Sequence, residues 1–145
     1  MEKGIVLPHH EIGTDPGAIR AFATGAEELG AAHIMAYDHV IGADRNRPGG
    51  FEGPYDKDVQ FHEPFTFFSY LAAITKKIEF VSGIIILPQR QTALVAKQAA
   101  ELAILSENRF RMGIGTGWNA VEYEVLKEDF TNPVSYTHLT LPTIA

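Results

Sequence analysis

Asp38-His39 sets a carboxylate beside the one side chain that titrates near neutrality, a pairing suited to moving a proton to or from a substrate. Adjacent side chains diverge at a strand end, so a second reading stands beside it, with Asp38 capping the next turn and His39 solvated in a loop. His9, His10, His62 and Glu63 add imidazole and carboxylate groups that could ligate a metal. Metal-dependent barrel hydrolases use a His-x-His pair after the first strand, however. Here His9 and His10 are contiguous, and no metal site is assigned. Gly115 to Ala120 matches G-x-G-x-x-A between a strand and a helix, where backbone free of side chains lets an anionic or polar cofactor reach amide N–H groups. The alternative is a tight turn that needs glycine, since a dinucleotide fingerprint belongs after the first strand. Ser82-Gly83 interrupts a β-branched run, the mark of a bulge, of a closely approaching ligand, or of helix packing. Arg90, with Arg45, Arg47 and Lys57, supplies cations that could meet an anionic group.

The elements that must position these residues follow from periodicity. Gly4–Leu7, closed by Pro8, reads as a strand buried on both faces. Asp15-Pro16 opens a helix with Ile19, Phe22, Ala23, Ala26 and Leu29 at helical spacing, and Gly30 ends it. His33–Tyr37 is the second strand. The stretch from Ile41 to Phe61 is long for a loop, and its Phe51, Tyr55 and Phe61 predict a lid. Pro64 opens a second helix, Ile78–Ile86 is a third strand, Thr92–Leu105 a third helix and Arg109–Gly115 a fourth strand. Asn119 caps a fourth helix through Leu126. This βαβαβαβα order predicts a parallel sheet with right-handed crossovers, either an open doubly wound sheet or half of a (β/α)8 barrel. In both, the strand ends gather His9-His10, Tyr37-Asp38-His39, Ser82 to Arg90 and Gly115 to Asn119 on one rim.

Pro133 to Ala145 breaks the pattern. It carries no Asp, Glu, Lys or Arg and resembles a translated sequencing adaptor. The expected organisation is therefore a barrel domain over 1–132 and a non-native tail over 133–145. Because such barrels run to about 250 residues, the expected fold class is α/β, as the first four β/α units of a truncated TIM-like barrel.

Composition narrows the function. With 46% hydrophobic and 21% charged residues, the 145-residue chain is that of a folded globular protein. A net charge of −6 argues against a nucleic-acid partner. The lack of Cys excludes disulfides and thiolate chemistry and suits a reducing compartment. There is no signal-peptide core and no apolar run near the roughly 20 residues of a membrane span, so no membrane partner is expected and the localisation is read as cytoplasmic.

Gly4-Ile-Val-Leu-Pro-His-His, Tyr37-Asp-His-Val, the run from Phe80 to Gln98 and Arg111-Met-Gly-Ile-Gly-Thr-Gly-Trp-Asn-Ala-Val-Glu-Tyr-Glu together resemble the luciferase-like monooxygenase superfamily. More narrowly they resemble its coenzyme F420-dependent oxidoreductases. The resemblance implies a TIM-like barrel binding a deazaflavin or flavin at its strand ends, with F420 as the expected cofactor and FMN as the alternative. It implies Asp38 as a cofactor contact and His39 as proton donor or acceptor, with FMN luciferases more often carrying Glu-His-His-like sequences there. It also implies a non-proline cis peptide at Ser82-Gly83, and cofactor contacts at Ile85, Thr116 and Gly117. Trp118 stands where some F420 dehydrogenases carry Glu, against sugar-phosphate dehydrogenase chemistry. The implied reaction is hydride transfer between F420 and a small organic substrate, by a parent enzyme that could be a homo-oligomer. Later barrel units hold the cofactor phosphate in this family, so the chain alone is expected to be inactive. A flavin-dependent monooxygenase of the same superfamily and a metal-dependent barrel hydrolase are the alternatives.

Overall fold

A computed structural model describes residues 2–131; the tail expected from Pro133 onward lies outside the described residues. The chain runs β1 (Ile5–Val6), α1 (Pro16–Glu28), β2 (His33–Ala36), α2 (Pro64–Ile74), β3 (Glu79–Ile86), a 3-10 turn (Leu87–Gln89), α3 (Thr92–Leu105), β4 (Phe110–Gly115) and α4 (Ala120–Leu126). The four strands form one parallel sheet in the order β1-β2-β3-β4. Strand order that never reverses keeps every right-handed crossover on the same side of the sheet, which is the winding of a barrel. Among the described residues no helix is long and apolar enough to cross a membrane.

Each helix starts where a side chain can accept its first free amides. Asp15 accepts from Gly17 and Ala18 at 3.0 and 3.2 Å, and Asn119 from Val121 at 3.1 Å, both as expected. Glu63, considered above as a metal ligand, is instead the cap of α2 and accepts from the Thr66 amide at 2.8 Å.

The core lies on the helical face of the sheet. Ile34, Ala36, Phe80 and Ile85 pack there against Ile19 and Ala23 of α1, Phe65, Phe68 and Leu71 of α2, and Val95 and Leu102 of α3. The other face is open: Val6 is 45% and Ile114 43% exposed. Strand β1 is thus not buried on both faces as its apolar run suggested, because nothing among the described residues covers its second side. Strand β2 stops at Ala36, one residue early, because the Tyr37 amide donates to His9 Nε2 at 3.0 Å.

Two long-range polar clamps tie the bottom of the fold. Glu27 of α1 accepts from the Lys76, Lys77 and Ile78 amides at 2.8, 2.5 and 2.9 Å, binding α1 to the turn between α2 and β3. Burial opposes its charge, but the three amides prevail and hold its pKa below the ordinary carboxylate value. Arg109 donates to the carbonyls of Ala72, Thr75, Ile78 and Ser106 and to Thr75 Oγ1, joining the C-terminus of α2, the approach to β3 and the cap of α3. Its guanidinium also lies 5.2 Å from the Phe80 ring centroid.

Arg109→Ala strands several of those carbonyls and should lower stability by about 2–3 kcal/mol, given the worth of hydrogen bonds to charged groups. The shift is read from the urea midpoint at constant m-value. Arg109→Lys should recover little, since one ammonium cannot reach the same spread of acceptors. A shift within experimental scatter for Arg109→Ala would show that water serves these carbonyls equally well.

Candidate active site

Three strand ends and the start of α4 meet at the rim, and each is locked by a side chain. At the end of β1, His9 is 4% exposed and its Nε2 accepts from Tyr37, so its proton sits on Nδ1, a buried atom with no partner among the described residues. Its ring stacks on Tyr37 at 5.3 Å and against Phe61 at 4.7 Å. Burial first, and then the nearby His62, His39 and His10, push its pKa down to about 4. His9 is a neutral strut between two strands. The other candidate metal ligands are dispersed: His10 packs on Tyr55, His62 stacks on Phe67, and Glu63 serves as cap and ion-pair partner. Among the described residues no group of three or more His, Asp or Glu could hold a metal ion.

At the end of β2, Asp38 is 3% exposed and fully engaged. Arg90 grips it as a fork, Nε to Oδ2 at 3.0 Å and Nη2 to Oδ1 at 2.7 Å, and the Ile86 amide adds a bond at 3.0 Å. Arg90 reaches on to Glu63 Oε1 at 3.1 Å. Burial disfavours the guanidinium charge, and the two carboxylates more than offset that. Arg90 is therefore not a free anion contact. Arg45, Arg47 and Lys57 are likewise paired, with Asp56, Glu124 and Asp44.

His39, by contrast, is poised. Its Nδ1 lies 3.2 Å from both oxygens of Glu122, whose Oε1 also accepts from the Val40 and Ile41 amides at 3.0 and 3.3 Å. Glu122 is wholly buried. An acceptor-only carboxylate fixes the proton on Nδ1, and among the described residues Nε2 has no hydrogen-bond partner. Tyr55, Phe61 and Trp118 wall the ring at centroid distances of 5.3, 4.6 and 5.7 Å.

Sequence reasoning missed Glu122. Asn119-x-x-Glu122 has capping-box spacing, which disguises it as a helix start. Neither half of the box forms: the Asn119 side chain accepts from the Val121 amide, and the Glu122 side chain crosses to the segment just past β2 instead.

In the third strand the register shifts between Ser82 and Ile85, and the cis peptide is Gly83–Ile84, one bond later than expected. Ser82 keeps regular pairing up to the shift, and its Oγ both donates to the Gly113 carbonyl and accepts from the Gly113 amide, each at 3.0 Å. The irregularity therefore falls on the residues that follow. Gly113 is required opposite: a Cβ there would stand 2.5 Å from the Ser82 carbonyl oxygen. Gly117 takes a φ of 70°, a left-handed turn that frees the strand from the helix start.

A cavity of about 100 Å³ is lined by Asp38, His39, Gly83, Ile84, Gly117 and Trp118. Four of the expected site residues are thus brought together. Three are not: the Ser82 hydroxyl is spent on Gly113, the Ile85 side chain is fully buried in the core, and the Thr116 carbonyl accepts from the Tyr123 hydroxyl. A larger cavity of about 470 Å³ shares His39 as a wall and runs along Phe61, Gln89, Arg90 and Leu94. The segment 41–61 covers the rim through Tyr55 and Phe61 on His39, Phe51 stacked 6.4 Å from Trp118, and Arg47 paired to Glu124 of α4.

A family model described as luciferase-like monooxygenase matches residues 1–138. Pyrimidine monooxygenase RutA of Allorhizobium ampelinum is 29% identical over 118 residues, 81% of this chain and 31% of that protein. An uncharacterized protein of Mycobacterium tuberculosis is 40% identical over 70 residues, 48% of this chain and 24% of the other. The chain thus spans about a third or less of these curated relatives. Monooxygenase RslO1 from Streptomyces bottropensis superposes with a TM-score of 0.71 at 20% identity, covering 93% of this chain and 39% of that one. The FMN complex of the oxygenating constituent of 3,6-diketocamphane monooxygenase from Pseudomonas putida gives 0.67 at 21%, covering 87% and 32%. The coenzyme F420-dependent tetrahydromethanopterin reductase from Methanopyrus kandleri gives 0.63 at 22%, covering 89% and 30%. At these identities the likeness is one of fold.

Two measurements check the site. Glu122→Gln keeps volume and leaves an oxygen for the Val40 and Ile41 amides, but turns an NH2 toward His39. Nitrogen-15 NMR should find the Nδ1–H tautomer of His39 in the parent chain and Nε2–H in the variant; the same tautomer in both would sink the assigned role of Glu122. Because the folded pKa of His9 is about 4 against 6.5 for the free side chain, the unfolded chain binds that proton first. The stability tied to its burial is whole above pH 6.5 and is lost as pH falls toward 4. His9→Gln, which can still accept from Tyr37, should flatten the urea midpoint across that window; an unchanged slope would show that burial of His9 does not carry the acid loss.

Proposed function

The chain belongs to the luciferase-like monooxygenase family, and we propose that it supplies the redox site of an F420-dependent oxidoreductase, with hydride passing between the deazaflavin and a small organic substrate. The observation that carries this reading is the His39–Glu122 pair. A buried carboxylate holds the ring and its Nδ1 proton, which leaves Nε2 to exchange a proton at the wall of a cavity.

The residues present fit the ring end of such a cofactor. Gly83 and Gly117 present backbone without side chains, Ile84 and Trp118 present apolar surface, and His39 stands at the edge. When bound, F420 supplies the two-electron carrier, and the rest is positioning by the protein. Asp38 keeps Arg90 away from the cavity and pins the β2 end to β3, which fixes the backbone on which His39 sits. Phe61, Tyr55 and Trp118 exclude water from the imidazole, which keeps its proton exchange for the substrate. Arg45, Arg47, Lys57 and Arg90 are all ion-paired, so the rim as described supports the ring end of the cofactor rather than its phosphate.

Tyr37-Asp38-His39 supports F420. The names of the relatives support FMN as the second reading, since RutA is a monooxygenase and one structural neighbour is an FMN complex.

Fluorescence titration with each cofactor separates the two: F420 should bind more tightly, and equal or tighter FMN binding moves the assignment to the flavin branch. Where turnover is measured, His39→Ala should lower kcat by roughly 10²-fold or more, the scale of a lost general acid or base, while cofactor affinity changes little. A loss confined to KM would remove His39 from the chemistry.

A further inference from the structure

We propose that Trp118 is a gate to the smaller cavity and that the segment 43–59 is the flap that holds it shut, fastened by the Arg47–Glu124 ion pair. The gate rests on the redox reading only in taking the molecule it admits as the one that meets His39. The cavity of about 100 Å³ is well below the roughly 300–1,000 Å³ of small-molecule sites, and the His39 side chain on its wall is 9% exposed. A guest as large as a fused ring therefore needs a wall to move.

Trp118 is the wall free to do so. Gly83, Ile84 and Ile86 belong to β3, and Asp38 is pinned by Arg90 and the Ile86 amide. Trp118 lies instead between β4 and α4, just after the left-handed turn at Gly117, and is 45% exposed. On one side its ring meets His39 edge-on at 5.7 Å, and on the other Phe51 stacks on it at 6.4 Å. Gly53 backs the same ring so closely that a Cβ there would stand 2.9 Å from Trp118 Cη2. With the flap lifted, nothing from 43–59 holds the indole against His39.

The flap is built to move as one piece. Among the described residues no backbone hydrogen bond joins 43–59 to the rest of the chain; the amides of Arg47, Gly50, Lys57 and Val59 donate to the carbonyls of Asp44, Arg47, Ala43 and Asp56. The neck is stapled by a bridge between Ala43 and Asp56, by Arg45 on Asp56 at 2.5 Å, and by Lys57 on Asp44 at 2.9 Å. Toward the body it offers packing, of Phe51 and Gly53 on Trp118 and of Tyr55 on His10 and His39, and the 2.5 Å pair of Arg47 with Glu124. Glu124 is 66% exposed, so salt screens that pair. It stands on the same helix as Glu122, so the flap is fastened to the element that orients His39.

Trp118 is the sole tryptophan of the chain, so acrylamide quenching of its fluorescence reads the gate without any cofactor. Modification of His39 by diethyl pyrocarbonate, followed by peptide mass spectrometry, reads entry to the cavity. An exposed ion pair shifts an equilibrium by about 1.5- to 5-fold, so Glu124→Gln should speed His39 modification by that factor and raise the quenching constant with it. The parent chain should show the same rise between about 0.01 and 1 M salt, as the screening length falls from roughly 30 to 3 Å, and Glu124→Gln should not respond. Arg47→Glu alone should also open the gate, and Arg47→Glu combined with Glu124→Arg should close it again. Hydrogen exchange at the Lys57 amide, inside the neck, should stay equally slow in every variant. Unchanged His39 and Trp118 access in Glu124→Gln, no recovery in the exchanged pair, or a parallel loss of Lys57 protection, the sign of local unfolding, would each overturn the proposal. Cofactor binding is titrated separately: failure there removes the redox reading and leaves the gate, whereas unmoved Trp118 and His39 remove the gate alone.

Discussion

The rim of this fold is organised around one buried carboxylate. Parallel strands end with amides and carbonyls that have no further ladder to join, and at the end of β2 the Asp38 side chain does what another strand residue would have done. It accepts from the Ile86 amide of β3 and from two nitrogens of Arg90, whose third nitrogen reaches the cap of α2. A buried ion pair gains little against its desolvation, but removing one partner is costly, on the order of 3–5 kcal/mol. The pair therefore acts as a lock on geometry. It fixes the backbone just past the end of β2, and hence where His39 sits.

A second carboxylate works on the same principle from the opposite side. Glu122 enters from α4, meets two consecutive amides just past β2, and has capacity left for the His39 imidazole. Placement of the imidazole is thus shared between elements far apart in sequence. The bulge after Ser82 completes the arrangement: the hydroxyl replaces cross-strand bonds at Gly113, and the irregular Gly83–Ile84 segment faces the cavity. The same economy explains why the cations of the rim are silent, each being held by a carboxylate of its own.

Much of the architecture was legible from local pattern. Asp15-Pro16 and Asn119 marked helix starts because a capping side chain acts within two or three residues of itself. The apolar periods of α1 and α2 and the β-branched run of β3 gave the element order, and that order with the handedness rule gave the sheet. Convergence of Asp38, His39, Gly83 and Gly117 needed nothing beyond strand ends pointing one way. What local pattern left open was settled by partners farther along the chain. Glu63, a possible ligand on paper, is a cap that also pairs with Arg90; Arg90, a possible anion contact, is the mate of Asp38; and the Ile85 side chain lies in the core beyond the register shift.

What the sequence determined by itself was therefore the set of elements, their winding and the rim on which chemistry could sit, all of which depend on spacing within a few residues. Only the tertiary structure decided which rim groups are free and which are consumed. Asp38 and His39 are neighbours of similar promise on paper. One is spent on Arg90, and the other is oriented by Glu122, 83 residues away. Hydrogen-bond saturation is a property of the packed chain, since a donor is satisfied by whatever acceptor the fold brings within reach, and no local pattern records that distance.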